Sequence, residues 1–140
     1  MLRSAVVKTS IDRDYEEAYA ILKQPGNFRL WSPVLESRFE ARGNNGLDWL
    51  VDLPQGTAIL RFSRPNEFGI LDYTVLTEGG PSRTTAMRLV RNQDGCELVS
   101  LFLQQPGQSD AAFDSYVAWA TNDLLALRNV VETLERAKSA

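Results

Sequence analysis

Residues 110–136, DAAFDSYVAWATNDLLALRNVVETLER, decide the fold, because no other stretch of the chain is long and periodic enough for one long helix. Phe113, Val117, Ala120, Leu124, Leu127, Val131 and Leu134 recur at alternating steps of four and three, which lays them along one stripe. One stripe calls for one partner surface. Ser109 or Asp110 is placed to cap the start by accepting orphan backbone N–H groups. Asp110 and Asp114 suit the positive end of the helix dipole, and Arg136 and Lys138 the other end. About 27 residues at ~1.5 Å rise span about 40 Å, enough to cross the mouth of a curved sheet.

Working back from that helix, residues 34–104 alternate strand and turn at the spacing of an antiparallel meander. Strands are expected at 34–42, 47–53, 57–64, 69–77, 83–91 and 96–104, separated by Gly, Pro and Asn clusters at 43–46, 54–56, 65–68, 79–82 and 92–95. Period-two alternation puts Leu35 and Phe39, Trp49 and Val51, Leu60 and Phe62, Leu71, Tyr73 and Val75, and Thr85, Met87 and Leu89 on one face. Arg38, Glu40, Asp48, Asp52, Arg61, Asp72, Arg88 and Val90 fall mostly on the other, where Asp72, Arg61 and Arg88 are expected to form surface pairs. The last strand is apolar on both faces, Leu98 and Phe102 opposing Val99, Leu101 and Leu103, and its facing stays open.

Residues 3–11 read as a further strand, with Ala5, Val7, Thr9 and Ile11 on one side. The period then changes. Asp12 is a plausible N-cap, and Tyr15, Ala18, Tyr19 and Leu22 make the stripe of a short helix that Pro25-Gly26 ends. Residues 27–31 suit one more helical turn, closed by Ser32-Pro33.

The chain has 140 residues, 44% apolar and 24% charged, which fits one soluble domain over 1–140. Its net charge of -3 offers no basic field for nucleic acid. Met1-Leu2-Arg3-Ser4 opens no long apolar core, and no run of ~18 apolar residues occurs, so a cytoplasmic protein without integral membrane association is expected. There is no histidine, and Cys96 is the single cysteine. Zinc sites of the His or Cys type, Ser-His-Asp triads and Cys-His pairs are thereby excluded within one chain. No metal or other cofactor is expected; Cys96 reads as an unreactive thiol.

The order of strand, two short helices, six-strand meander and long terminal helix resembles the helix-grip fold of the START-like superfamily, which includes polyketide cyclase-like proteins. The likeness is carried most specifically by Ile11-Asp12-Arg13-Asp14-Tyr15-Glu16-Glu17-Ala18-Tyr19-Ala20-Ile21-Leu22 and then Asn27-Phe28-Arg29-Leu30-Trp31-Ser32-Pro33, with its Trp-x-Pro ending. The spacer Lys23-Gln24-Pro25-Gly26 departs from the Asp that many members carry there. The resemblance implies an α+β fold, a seven-stranded curved antiparallel sheet around the long C-terminal helix, and a cavity between them for lipids, polyketides or other apolar molecules.

The residues then expected to line that cavity are Trp31, Trp49, Phe62, Tyr73, Met87, Phe102, Phe113, Tyr116 and Ala120. Tyr73 and Tyr116 are the most functional in kind, since a phenol can hydrogen-bond a ligand without burying a charge, although core tyrosines commonly satisfy the backbone instead. Trp119 lies off the main stripe and suits a cavity rim or a dimer surface. Three readings follow: a binding protein for a small apolar molecule; a histidine-free cyclase or dehydratase using Tyr73, Tyr116 and an inward-turned Arg88; or an interaction module, with a homodimer among its outcomes, whose cavity is filled by its own aromatics.

Overall fold

The computed structural model describes residues 1–30, 38–53, 56–80 and 82–134. The elements run β1 (Ser4–Ile11), α1 (Tyr15–Leu22), a 3-10 helix (Pro25–Leu30), β2 (Phe39–Ala41), β3 (Asp48–Leu53), β4 (Gly56–Phe62), β5 (Tyr73–Thr77), β6 (Arg83–Asn92), β7 (Gly95–Leu103) and α2 (Asp110–Thr133). The seven described strands form one antiparallel sheet in the order β1-β7-β6-β5-β4-β3-β2, which does not close. This is the helix-grip order expected from the sequence. Among the described residues no helix is long and apolar enough to cross a membrane. Trp31, Leu35, Arg136 and Lys138 lie outside the described residues.

Strand facing follows the period-two expectation. Val7, Thr9 and Ile11 of β1, Val51, Leu60, Thr85 and Leu89 are buried, while Val90 is exposed. The open question at β7 is resolved by its register. Cys96, Leu98, Ser100 and Phe102 point inward with Val7 and Ile11, which leaves Leu101 and Leu103 on the outer face.

Local expectations change in four places. Asp14, not Asp12, caps α1: its carboxylate accepts from the amides of Glu16 and Glu17 at 3.1 and 3.3 Å. The Asp12 amide donates instead to Glu132 of α2 at 2.7 Å. α1 stops at Leu22, and Pro25, expected to end it, opens the 3-10 helix, where a missing N–H costs nothing. The expected strand at 69–77 is continuous only from Tyr73, because the Asp72 carboxylate takes the Met87 amide at 2.8 Å and interrupts the ladder. Arg61 therefore pairs with Asp48 at 2.9 Å and the Arg88 Nε donates to the Phe68 carbonyl, so the expected Asp72, Arg61 and Arg88 pairing does not form. Gly69 is required where it stands, at φ 69, since a Cβ would collide with the Leu89 carbonyl oxygen and lie 2.8 Å from the Tyr15 hydroxyl.

The core has two parts. Phe113, Ala120, Leu124, Leu127 and Val131 of α2 bury against Val7, Ile11, Leu89, Leu98 and Phe102. A smaller cluster of Phe39, Val51, Ala58 and Leu60 occupies the far half of the sheet, and Phe28 packs against both. The ends of β1 hold the ends of α2. Arg3 pairs with Asp110 and Asp114, at 3.5 and 2.9 Å. Arg13 donates through Nη1 to the carbonyls of Val131, at 2.7 Å, and Leu134. α2 runs to Thr133, Leu134 is already extended, and Arg13 supplies a cation to this end from across the fold; the expectation for Arg136 and Lys138 lies outside the described residues. The Arg13 side chain is only 11% exposed.

Replacing Arg13→Met therefore strips two terminal carbonyls of a charged donor, and urea unfolding is expected to lose about 1–3 kcal/mol. Arg3→Met, at the solvated end of the same clamp, is expected to lose clearly less. Equal losses would show that the two ends do not differ in this way.

Candidate functional site

Beneath α2, on the side turned from β1, lies a hollow lined by Phe28, Tyr73, Thr85, Met87, Phe102, Tyr116, Trp119, Ala120, Asp123, Leu124 and Leu127. Each is delivered by a period. Tyr116, Ala120, Asp123 and Leu127 follow one another at steps of four and three on α2, while Thr85 and Met87 share the inward parity of β6. The free volume is about 30 Å³, room for about one water. Ligand pockets typically hold about 300–1,000 Å³. Aromatic rings fill the difference: Phe102 meets Tyr116 edge-on at 5.6 Å, Tyr116 meets Trp119 at 6.1 Å, and Phe28 meets Tyr73 edge-on at 5.2 Å. A hollow lies where the sequence led us to expect a ligand-sized cavity, but the protein's own aromatics fill it, as the third reading had it.

The polar groups on this wall are unusual for a packed interior. Burial pushes the Asp123 carboxyl up to about 6, and no ion pair or side-chain hydrogen bond among the described residues includes it. Burial pushes the Tyr73 phenol up to about 12, an effect eased by its hydrogen bond with Thr85. Tyr116 is raised by burial as well, partly offset by Arg83. Beside the wall, the Arg83 guanidinium lies 4.0 Å from the Tyr116 ring centroid, and its Nη2 is buried with no hydrogen-bond partner among the described residues. Among the described residues no group of three or more Cys, Asp or Glu side chains gathers to hold a metal.

Of the residues expected to line a cavity, Tyr73, Met87, Phe102, Tyr116 and Ala120 come together here, with Trp119 at the rim and half exposed. Three do not line it. Trp49 stacks on Phe39 at 4.6 Å in the far cluster, because β2 and β3 pair there. Phe113 is fully buried under the Arg3 guanidinium at the start of α2. Phe62 reaches the hollow only through Phe28 and Tyr73, at 5.4 and 6.2 Å. Arg88 stays on the outer face, which removes it from the cyclase set. Cys96 is buried, its thiol pushed up to about 11 by burial and Glu97.

Two site residues escaped the sequence reading although each carried a signal. Asp123 stands seven residues after Tyr116, hence on its face, and Arg83 shares the parity of Thr85 and Met87.

No family model matches the sequence, and no curated protein does. Solved structures match over nearly the whole chain. A START superfamily protein from Mycobacterium smegmatis superposes with a TM-score of 0.69 at 16% identity, covering 94% of this chain and 99% of that one. The Aha1 dimer of Colwellia psychrerythraea gives 0.70 at 12%, covering 94% and 98%. DynU16, from the dynemicin biosynthetic locus, gives 0.68 at 16%, with 95% of this chain but 48% of that one covered. The chain has the START-like helix-grip fold, which at these identities is what the likeness shows.

The Asp123 carboxyl provides a pH test. Its folded value lies above the ordinary 3.8, so its contribution to stability is whole below that value and is lost as pH rises through about 6. Asp123→Asn is expected to gain on the wild type in urea midpoint between about pH 4 and pH 7, by about 1 kcal/mol once partial exposure is discounted. A pH-independent gap would contradict the burial of this group.

Proposed function

We propose that the protein binds a small apolar molecule in the hollow beneath α2, admitted when Tyr116 and Trp119 turn aside. The observation that carries the reading is a pair of charged groups without hydrogen-bond partners among the described residues: Asp123, half-buried on the apolar wall, and the buried Arg83 Nη2, which lies next to the hollow against the Tyr116 ring. Shielded polar groups ordinarily find partners, and a ligand bearing donors and acceptors supplies the missing ones. The START-like and polyketide-locus neighbours support the same reading at the level of fold.

A hollow of about 30 Å³ admits such a ligand only by opening. Trp119 is 49% exposed, and no hydrogen bond among the described residues fixes its indole or the Tyr116 hydroxyl. Trp119, held by packing alone, can give way to a ligand that replaces its contacts, and Tyr116 follows at the further cost of its stack on Arg83, the behaviour of a cryptic pocket. Met87 on the opposite wall adds an unbranched side chain that repacks at small cost.

The test is fluorescence titration with phenylnaphthylamine, an uncharged aromatic probe. Saturable binding at one probe per chain is expected. Ala120→Phe, which adds a ring inside the hollow, is expected to weaken it about tenfold, or about 1.4 kcal/mol. Equal binding by the variant would put the probe elsewhere, and no saturable binding by the wild type would end the carrier reading.

A second reading rests on a separate observation. The outer face of the sheet exposes Val6, Phe68, Ile70, Leu101 and Leu103, and Phe68, Ile70 and Leu101 rim a shallow depression of about 510 Å³. With the hollow beneath α2 nearly full, this face suits contact with a second copy of the chain. The dimeric Aha1 neighbour supports it. Sedimentation equilibrium is expected to give a concentration-dependent dimer that Leu101→Asp disrupts; a monomer at all concentrations would exclude it.

A further inference from the structure

Resting on the proposed binding in the hollow, we infer that the ligand is a monoanion, an aromatic or amphiphilic carboxylate whose charged end is held by Arg83. Arg83 opens β6 on its inner face, two residues before Thr85, which lines the hollow and hydrogen-bonds Tyr73. Its guanidinium is spread over the Tyr116 ring at 4.0 Å. Stacking engages the face of a guanidinium and leaves its N–H edge to seek an acceptor.

Six other arginines show one way such an edge is satisfied. Arg3, Arg13, Arg38, Arg61, Arg91 and Arg128 each lie within ion-pair distance of a carboxylate. Among the described residues Arg83, like Arg42, Arg64 and Arg88, is in none of these pairs, and what distinguishes it is an Nη2 buried without an acceptor. A carboxylate on the ligand would restore a charge-assisted bond, bidentate where both edge nitrogens are reached. The apolar body of the same molecule would then lie along Phe28, Met87, Phe102 and Trp119.

Space for a charged end exists on the other side of Arg83. It borders a depression of about 230 Å³ lined also by Ser82, Thr84, Gln105 and the outer-face Leu101 and Leu103, with Thr85 and Phe102 common to this depression and to the hollow. The charge count limits the ligand to one negative charge, because Asp123 faces the same hollow and repels a second. A cation would satisfy Asp123 but leave the Arg83 nitrogen unpaired beside it. A neutral hydrocarbon would leave both as they are.

Two probes with the same ring system separate charge from shape: anilinonaphthalene sulfonate and its uncharged parent, phenylnaphthylamine. Wild-type protein is expected to bind the sulfonate about tenfold tighter, as one charge-assisted bond requires. Arg83→Met is expected to remove that preference, so that the ratio of sulfonate to neutral-probe affinity falls from about ten to about one. Arg88→Met makes the same charge change on the outer face of the same strand and is expected to keep the preference. If Arg83→Met does not fold, Arg83→Gln, uncharged but still a donor, carries the same expectation. Equal affinities in the wild type, or a preference that survives loss of Arg83, would overturn the anion assignment and leave the binding reading standing. Failure of the wild type to bind either probe would remove both.

Discussion

Everything else in this fold depends on burying one stripe of α2 against the inner faces of β1 and β7. Phe113, Ala120, Leu124, Leu127 and Val131 are nearly without exposed surface, and full burial of each large apolar side chain is worth about 1.5–3 kcal/mol. Burial has no direction of its own, so the register of the helix must come from elsewhere. It comes from arginines at either end of β1: Arg3 meets Asp110 and Asp114 at the start of α2, and Arg13 meets the last carbonyls. A strand and a helix fixed at both ends cannot slide. Tyr116, Trp119 and Asp123 therefore come to rest over β5 and β6 rather than over β1.

That placement leaves a geometric remainder. Seven strands at about 4.8 Å spacing span close to 30 Å, whereas a helix with its side chains is about 10 Å wide. α2 covers the β1, β7 and β6 half, and the far half closes around its own cluster of Phe39, Val51, Ala58 and Leu60. Phe28 is wedged between the two, edge-on to Phe62 and Tyr73. The hollow sits at this seam, where neither cluster reaches. It is filled by rings projecting from two sides, so its walls are formed by side chains rather than by backbone.

Much of this could be read from the residues, for physical reasons that differ from element to element. The α2 stripe and the inward parity of β3, β4 and β6 are written in periods of 3.6 and 2, and burial enforces them. The α1 cap could not be read, because Asp12 and Asp14 have the same chemistry and only the contact of the Asp12 amide with Glu132, 120 residues away, separates them. The break before Tyr73 hangs on a single side-chain acceptor, Asp72, which leaves no mark on the hydrophobic pattern. For β7 both faces are apolar, so its partner strands decided. Within the site, Tyr73 and Tyr116 were legible because a phenol on an apolar face stands out. Arg83 and Asp123 lay on the same faces, yet charged residues are ordinarily assigned to solvent. How far the rings fill the hollow depends on rotamers, which no periodicity encodes.

A nearly filled hollow is compatible with weak, selective binding if its opening is included in the energetics. A ligand that buries about 300 Å² of apolar surface gains about 7–8 kcal/mol at ~25 cal/mol/Å². Displacing Tyr116 and Trp119 exposes part of their own surface and lowers the population of the competent state, and each ~1.4 kcal/mol so lost weakens apparent affinity tenfold. Hydrophobic burial alone is then nearly cancelled, since ring and ligand compete for the same wall. What remains to discriminate among ligands is the interaction that the displaced rings do not make. Trp119 and Tyr116 can cover Phe102 and Met87, but neither supplies an acceptor to the Arg83 nitrogen, and neither donates to Asp123. Selection in such a site falls on polar complementarity, with the apolar body of the ligand setting only how long the rings stay open.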